Sequence, residues 1–196
     1  MSNIVISGYY GFNNAGDEAL LTAILQALGA VAPETGLTVI SGNPADTKLR
    51  HHVDAIYRFH AGHILRALSR ADLLISGGGS LLQDVTSKKS LLYYLTILVL
   101  AKLKGCKVML FAQGIGPIRN SLMRFLTKVV CRQADAITVR DEDSAAELAR
   151  LGIPPERVQV TADCVLTLTP SDKVAGRLLL EEAGLDPVSY THLRAH

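Results

Sequence analysis

The run Asp72-Leu73-Leu74-Ile75-Ser76-Gly77-Gly78-Gly79-Ser80 decides the fold class. Three apolar residues in succession belong to a strand buried on both faces, and such strands build parallel sheets. The glycines that follow mark a loop where the backbone turns sharply or meets another group closely. Ile4-Val5-Ile6 repeats the pattern near the amino end, and Gly8 opens a second glycine-bearing loop. Outward from these two runs, strands are expected at Asn3–Ser7, Leu37–Ser41, Ala55–Arg58, Asp72–Ser76, Lys107–Ala112, Ala136–Arg140 and Val158–Thr161. Helical patterns fill the intervals at 17–31, 62–70, 88–104, 119–133 and 141–151, with a weak one at 44–51. Strands alternating with helices of this length imply crossover connections, hence a doubly wound, Rossmann-like α/β domain.

Composition narrows the function. Of 196 residues, 48% are hydrophobic and 19% charged, which excludes intrinsic disorder. Twenty Lys and Arg against eighteen Asp and Glu leave a net charge of +2, too balanced for a nucleic-acid binder that works by phosphate neutralisation. Aromatic residues are only 5% with no Trp, little material for stacking platforms. Cys106, Cys131 and Cys164 are odd in number and lack a C-x-x-C spacing, so reduced cytosolic thiols are expected rather than disulfides or a zinc site. Ile4 to Ser7 follows Met1 with no basic or long apolar stretch before it, so no secretory signal is expected. The run Ser90 to Ala101 is 12 residues, short of the roughly 18–20 that span a bilayer. It reads as a buried helix; with Lys88, Lys89, Lys102 and Lys104 around it, a surface resting on anionic lipid is the other reading.

Ligands of open α/β sheets bind beyond the carboxyl ends of the strands, so the loops there carry the functional signal. The first runs Gly8-Tyr9-Tyr10-Gly11-Phe12-Asn13-Asn14-Ala15-Gly16-Asp17-Glu18. Its glycine spacing fails the dinucleotide fingerprint. It nearly fits a P-loop, but Asp17 and Glu18 occupy the positions where Lys and Ser/Thr would hold phosphate and magnesium, which excludes a nucleoside triphosphatase. A carboxylate there can instead accept the proton of a hydroxyl. The alternative is that both acids merely favour a helix start, by about 0.3–1 kcal/mol.

The second loop, Gly77-Gly78-Gly79-Ser80-Leu81-Leu82-Gln83-Asp84, is either an anion-binding concavity with a polar rim of Ser80, Gln83 and Asp84 or a tight strand-to-helix turn. A third, Gln113-Gly114-Ile115-Gly116-Pro117, lets backbone approach the same cleft. Arg140, closing the sixth strand, can grip a carboxylate or phosphate with two hydrogen bonds, or pair with Asp141 or Asp143. His51, His52, His60 and His63 offer no metal spacing beyond a weak His60-x-x-His63 and read as exposed loop residues. No catalytic Ser-His-Asp or Cys-His arrangement is recognisable, and no metal site is expected.

At these motifs the sequence resembles the polysaccharide pyruvyl transferase family, and within it the CsaB-type members of bacterial cell-wall polymer synthesis. The matching stretches are GYYGFNNAGDEALL (8–21), SGGGSLLQDVTSKKSLLYY (76–94), FAQGIGP (111–117) and TVRDEDSAAEL (138–148), in one order over about residues 3–168. The resemblance implies the first domain of a GT-B-like two-domain enzyme that moves enolpyruvyl from phosphoenolpyruvate to a sugar, making a pyruvate ketal. No further cofactor is implied. The acceptor would be a lipid-linked saccharide containing N-acetylmannosamine, handled at the cytoplasmic face of the membrane; direct peripheral contact and oligomeric state stay open. It also implies that Asp17 is the base and that Arg140 holds the donor. Asn13, Asn14, Gly16, Gly77, Gly78, Gly79, Ser80, Gln83, Asp84, Gln113 and Gly114 are the expected substrate-binding set.

Residues 1–168 are expected to form the N-terminal domain, 169–186 a linker and the start of a second domain, and 187–196 a non-native tail on an inactive fragment. Cys164 stands where relatives often carry proline, a departure at the linker. Two other readings remain: a nucleotide-sugar-dependent GT-B-like glycosyltransferase, and a non-catalytic Rossmann binding module.

Overall fold

The computed structural model describes residues 2–169 and 173–184. Among these described residues seven strands alternate with helices in chain order: β1 (Asn3–Ser7), α1 (Ala15–Val31), β2 (Gly36–Ser41), α2 (Pro44–His51), β3 (Asp54–Tyr57), α3 (Ala61–Leu68) and β4 (Leu73–Gly77). Then come α4 (Lys88–Leu103), β5 (Lys107–Gln113), α5 (Ser121–Cys131), β6 (Ala136–Val139), α6 (Glu142–Arg150), β7 (Val158–Val160) and α7 (Lys173–Glu182). All strands pair in parallel, in the order β3-β2-β1-β4-β5-β6-β7. The expected doubly wound sheet is what the chain forms.

The continuous apolar runs do what both-face burial requires. Val5 and Leu74 point into a core with α3, α4, α5 and α6, while Ile4, Ile6 and Ile75 point into a second core against Leu20, Leu21 and Ile24 of α1. The helix starts are written in the sequence as short polar side chains. Asn14, Asn43, Ser87, Asn120 and Asp141 each cap a helix by accepting a backbone N–H from its first turn. Asn120 therefore starts α5 at Ser121, two residues later than the expected 119. At the other end of α6, Gly152 takes a φ of +84° and Pro154 and Pro155 follow.

The 88–104 segment is a core helix. Leu91, Tyr94, Leu95, Ile97, Leu98 and Ala101 of α4 are buried in the first core. Among the described residues no helix is long and apolar enough to cross a membrane. Cys106, Cys131 and Cys164 are free and buried, Cys164 opening a single 3-10 turn (164–167) packed beneath α1. Near the carboxyl end α7 is followed by Gly184 at φ +70°. The expectation of a non-native tail at 187–196 lies outside the described residues.

Strand order reverses between β1 and β4, the topological switch point where open α/β sheets form a crevice. The loops leaving those two strands are the glycine loops at 8–14 and 78–87.

Candidate functional site

The first glycine loop is folded tightly on itself. The Tyr10 ring lies back over Gly8, where a Cβ would stand 2.3 Å from ring carbon Cζ, and the Tyr10 hydroxyl donates to Gly77 O at 2.6 Å. Gly11 and Asn13 take positive φ values of 77° and 58°, bringing the chain round to Asn14, whose Oδ1 caps Gly16 and Asp17 N–H. The two acids then part company. Glu18 is spent on structure: Oε1 accepts from Gly11 N at 2.8 Å and Oε2 meets His51 Nε2 at 3.1 Å, with the carboxylate only 12% exposed. His51 thus lies in α2 with its side chain only 7% exposed, a correction to its expected place in an exposed loop; the Glu18 carboxylate holds the ring there. His60 and His63 are exposed at the start of α3, where His60 Nδ1 caps His63 N–H.

Asp17 has neither an ion pair nor a side-chain hydrogen bond among the described residues. Burial first, and the nearby Glu18 charge second, push its pKa from the ordinary 3.8 up to about 6. Its carboxylate faces a cavity of about 370 Å³ that Tyr9, Asn14, Ser80, Leu81, Gln83, Thr86, Ser90 and Tyr94 also line.

Packing explains the three glycines after β4. A Cβ on Gly77 would come within 2.6 Å of Ile24 Cδ1, on Gly78 within 2.9 Å of Leu20 Cβ, and on Gly79 within 3.1 Å of Asp17 Oδ1. The amino end of α1 descends onto the loop through these gaps and carries Asp17 with it. Gly16, inside the first turn, touches only its cap, Asn14 Oδ1.

The loop after β4 is laced to the loop after β5. Gly114 N donates to Gly79 O at 3.0 Å and Gly116 N to Leu82 O at 2.8 Å. Gln113 is fully buried, its amide accepting from Ser76 Oγ at 3.2 Å and donating to Gly79 O at 3.0 Å. Asp84 accepts from Arg119 N at 2.9 Å and Asn120 N at 2.8 Å; partial burial raises its pKa, but these two N–H donors outweigh that and leave it below the ordinary range. Gln83 closes a local turn through Thr86 at 2.7 Å. The side chains of Gln113 and Asp84 are therefore committed within the protein, whereas Ser80 stands at the junction of two cavities.

The second cavity, about 310 Å³, is lined by Ser80, Gly116, Arg140, Asp141, Ser144 and Glu147, among others. The Arg140 guanidinium lies across Gly114, where a Cβ would stand 2.9 Å from Cζ. Its Nη2 donates to Ser80 Oγ at 3.1 Å and its Nε to Asp141 Oδ2 at 3.1 Å, while Asp163 sits 3.8 Å from Nη1. Asp141 is fixed in turn: the Ser144 side chain and N–H, then Arg140, hold its carboxyl below the ordinary range. The pair with Asp141 that the sequence allowed is present, and Arg140 also faces the cavity. Asp17 and Arg140 thus serve adjoining cavities that share the Ser80 wall.

Asn14, Asp17, Ser80 and Gln83 converge on the first cavity; Gly114 underlies Arg140; Asn13 is exposed in the loop and lines neither. Residues that the motifs did not single out as binding groups are Tyr9, Ser90 and Tyr94. The four-residue spacing of Ser90 and Tyr94 on one helix face was the available signal. The scarce aromatics are unevenly spread: Tyr9 stacks on Phe12 at 4.3 Å, and Arg58 sits over the rings of Phe12, Phe59 and Tyr93 at 5.1, 4.9 and 4.4 Å. No cluster of three or more His, Cys, Asp or Glu suited to a metal occurs among the described residues.

A family model described as polysaccharide pyruvyl transferase matches residues 14–192. Comparison with curated protein sequences gives no match. HepE from Anabaena, solved in complex with UDP-glucose, is similar with a TM-score of 0.58 and 10% identity, over 94% of this chain and 50% of its own. UDP-GlcNAc 2-epimerase from Neisseria meningitidis, bound to UDP-GlcNAc, is similar with a TM-score of 0.53 and 15% identity, over 94% of this chain and 52% of its own. At these identities the likeness is one of fold, that of GT-B-like enzymes built on Rossmann-like domains. This chain spans about half the length of the solved structures it matches.

Proposed function

This chain belongs to the polysaccharide pyruvyl transferase family, and from that we propose that it is the acceptor-side domain of a CsaB-type enzyme using phosphoenolpyruvate. A second α/β domain would complete the donor site, and the acceptor would be a lipid-linked saccharide at the cytoplasmic face of the membrane. The observation that carries this reading is the unpaired Asp17 carboxylate, its pKa near 6, facing a cavity that shares Ser80 with the cavity of Arg140. A base with a pKa just below neutral is ionised at working pH yet still able to take a proton.

In the proposed reaction, a proton drawn from solvent adds to the methylene carbon of phosphoenolpyruvate and makes its C2 electrophilic. One sugar hydroxyl, giving its proton to Asp17, attacks C2. The C–O bond to phosphate then breaks, and a second hydroxyl of the same sugar closes the ketal, giving its proton to the departing inorganic phosphate. Arg140 supplies the positive charge for the donor's carboxylate or phosphate, and its Ser80, Asp141 and Gly114 contacts preset its fork. No step needs a metal or a further cofactor.

The full-length enzyme, given phosphoenolpyruvate and a disaccharide ending in N-acetylmannosamine, is expected to release phosphate and yield an acceptor heavier by one pyruvate ketal, read by mass spectrometry. The rival reading, a nucleotide-sugar glycosyltransferase, draws on the UDP-sugars bound by HepE and the epimerase. Tight calorimetric binding of UDP-glucose, with no product from phosphoenolpyruvate, would favour it.

A further inference from the structure

One residue lining the cavity at Asp17 has a hydroxyl that neither the protein nor the proposed chemistry employs. Tyr94 of α4 is 2% exposed, and its hydroxyl is buried with no hydrogen-bond partner among the described residues. Buried tyrosine hydroxyls ordinarily find a partner, because leaving one unmade costs stability while phenylalanine would fill the same space. The adjacent Tyr93 obeys the rule, donating to Arg58 O at 3.1 Å. Tyr94 instead lines the cavity that holds the Asp17 carboxylate. Ser90, one helical turn earlier, lines it too, and a helical side chain leans toward the amino end of its helix, so Tyr94 lies over the Ser90 turn. Burial above all keeps the phenol protonated far into the alkaline range, so it can only donate or accept a neutral hydrogen bond. A further wall is the Tyr9 ring, 38% exposed and held by its stack on Phe12. A flat ring beside hydroxyl partners suits the apolar face and polar rim of a pyranose.

We infer that Tyr94 positions the acceptor: its hydroxyl hydrogen-bonds an oxygen of the sugar whose attacking hydroxyl meets Asp17. This rests on the acceptor reading of the Asp17 cavity. Solvent does not reach the Tyr94 hydroxyl in this conformation, so pairing it takes a ligand that enters the cavity and shifts its wall slightly.

The test is steady-state kinetics and thermal melting of full-length Tyr94→Phe, with phosphoenolpyruvate and the N-acetylmannosamine-terminated disaccharide. The expected result is an acceptor KM raised about tenfold, the worth of one hydrogen bond. The KM for phosphoenolpyruvate stays within about twofold, and the melting temperature holds or rises, because an unsatisfied hydroxyl has gone. An unchanged acceptor KM in the folded variant overturns the inference, and so does an equal rise in both KM values. Asp17→Asn in the same assay separates the two levels. If it abolishes turnover while Tyr94→Phe is silent, the acceptor reading stands and the role of Tyr94 falls; if Asp17→Asn turns over normally, the reading itself fails.

Discussion

Asp17 and Glu18 are neighbours with the same charge and opposite employment. The sequence offers a carboxylate pair at a helix start and nothing that separates its members. What separates them is the path of the loop, which delivers Gly11 N and His51 to Glu18 and leaves Asp17 facing a cavity. The consequence is measurable. Because the folded protein raises the pKa of Asp17 from 3.8 to about 6, it favours the protonated form. That contribution is full below pH 3.8 and lost as pH rises through about 6. At pH 7.5 the ionised group therefore costs stability, on the order of 1 kcal/mol once solvent screening of a half-exposed group is allowed for. Asp17→Asn is expected to raise the melting temperature by roughly 2–4 °C at pH 7.5 and to leave it unchanged near pH 4, read by thermal melts at the two values. Gly114 is a second single-residue test. The nearest atoms an alanine Cβ would meet there are side-chain atoms of Ser80 and Arg140, at 2.6 and 2.9 Å, and not backbone. Gly114→Ala should keep the fold, with unfolding within about 1 kcal/mol of the parent, while raising the KM for phosphoenolpyruvate in the full-length enzyme.

At the scale of elements, the sequence was most readable where local chemistry decides. Polar caps, closing glycines and unbroken apolar runs placed every strand and six of the helices within two or three residues, because such signals act within one turn or strand. The glycine loops were legible as loops, yet their glycines were not legible as packing gaps, since Leu20 and Ile24 meet them from a distant part of the chain, across the whole of β2, α2, β3 and α3. Contacts of that kind depend on where α1 lies on the sheet. The same distance hid the commitments of Gln113 and Asp84. Gly78 tests the packing role: it takes φ +77°, and an alanine Cβ would stand 2.9 Å from Leu20 Cβ, a rigid neighbour. Gly78→Ala is expected to destabilise by about 1–3 kcal/mol in urea unfolding. Glu18→Ala, which strips the loop of its clamp on Gly11 and His51, should cost a similar 1.5–3 kcal/mol by the usual worth of hydrogen bonds to a charged group, about twice the cost of Glu18→Gln.

At the scale of the molecule, the strand order sets the site. Reversal between β1 and β4 brings two distant glycine loops to one crevice, and the neighbouring β5 and β6 add Gly114 and Arg140 to its rim. The sheet thereby sets the Asp17 carboxylate and the Arg140 guanidinium in adjoining cavities, the arrangement on which the proposed pyruvyl transfer draws. Under the proposal a second domain would close the Arg140 cavity; this chain spans about half the length of the solved structures it matches. The most direct measurement is the pH dependence of kcat/KM for pyruvate transfer by the full-length enzyme, parent beside Asp17→Asn. For the parent the proposal predicts a rise with pH that levels above about 6. For the variant it predicts a rate lower by about 10²–10⁴ from which that limb has vanished. An Asp17→Asn enzyme that kept the parental rate and the same limb would contradict it.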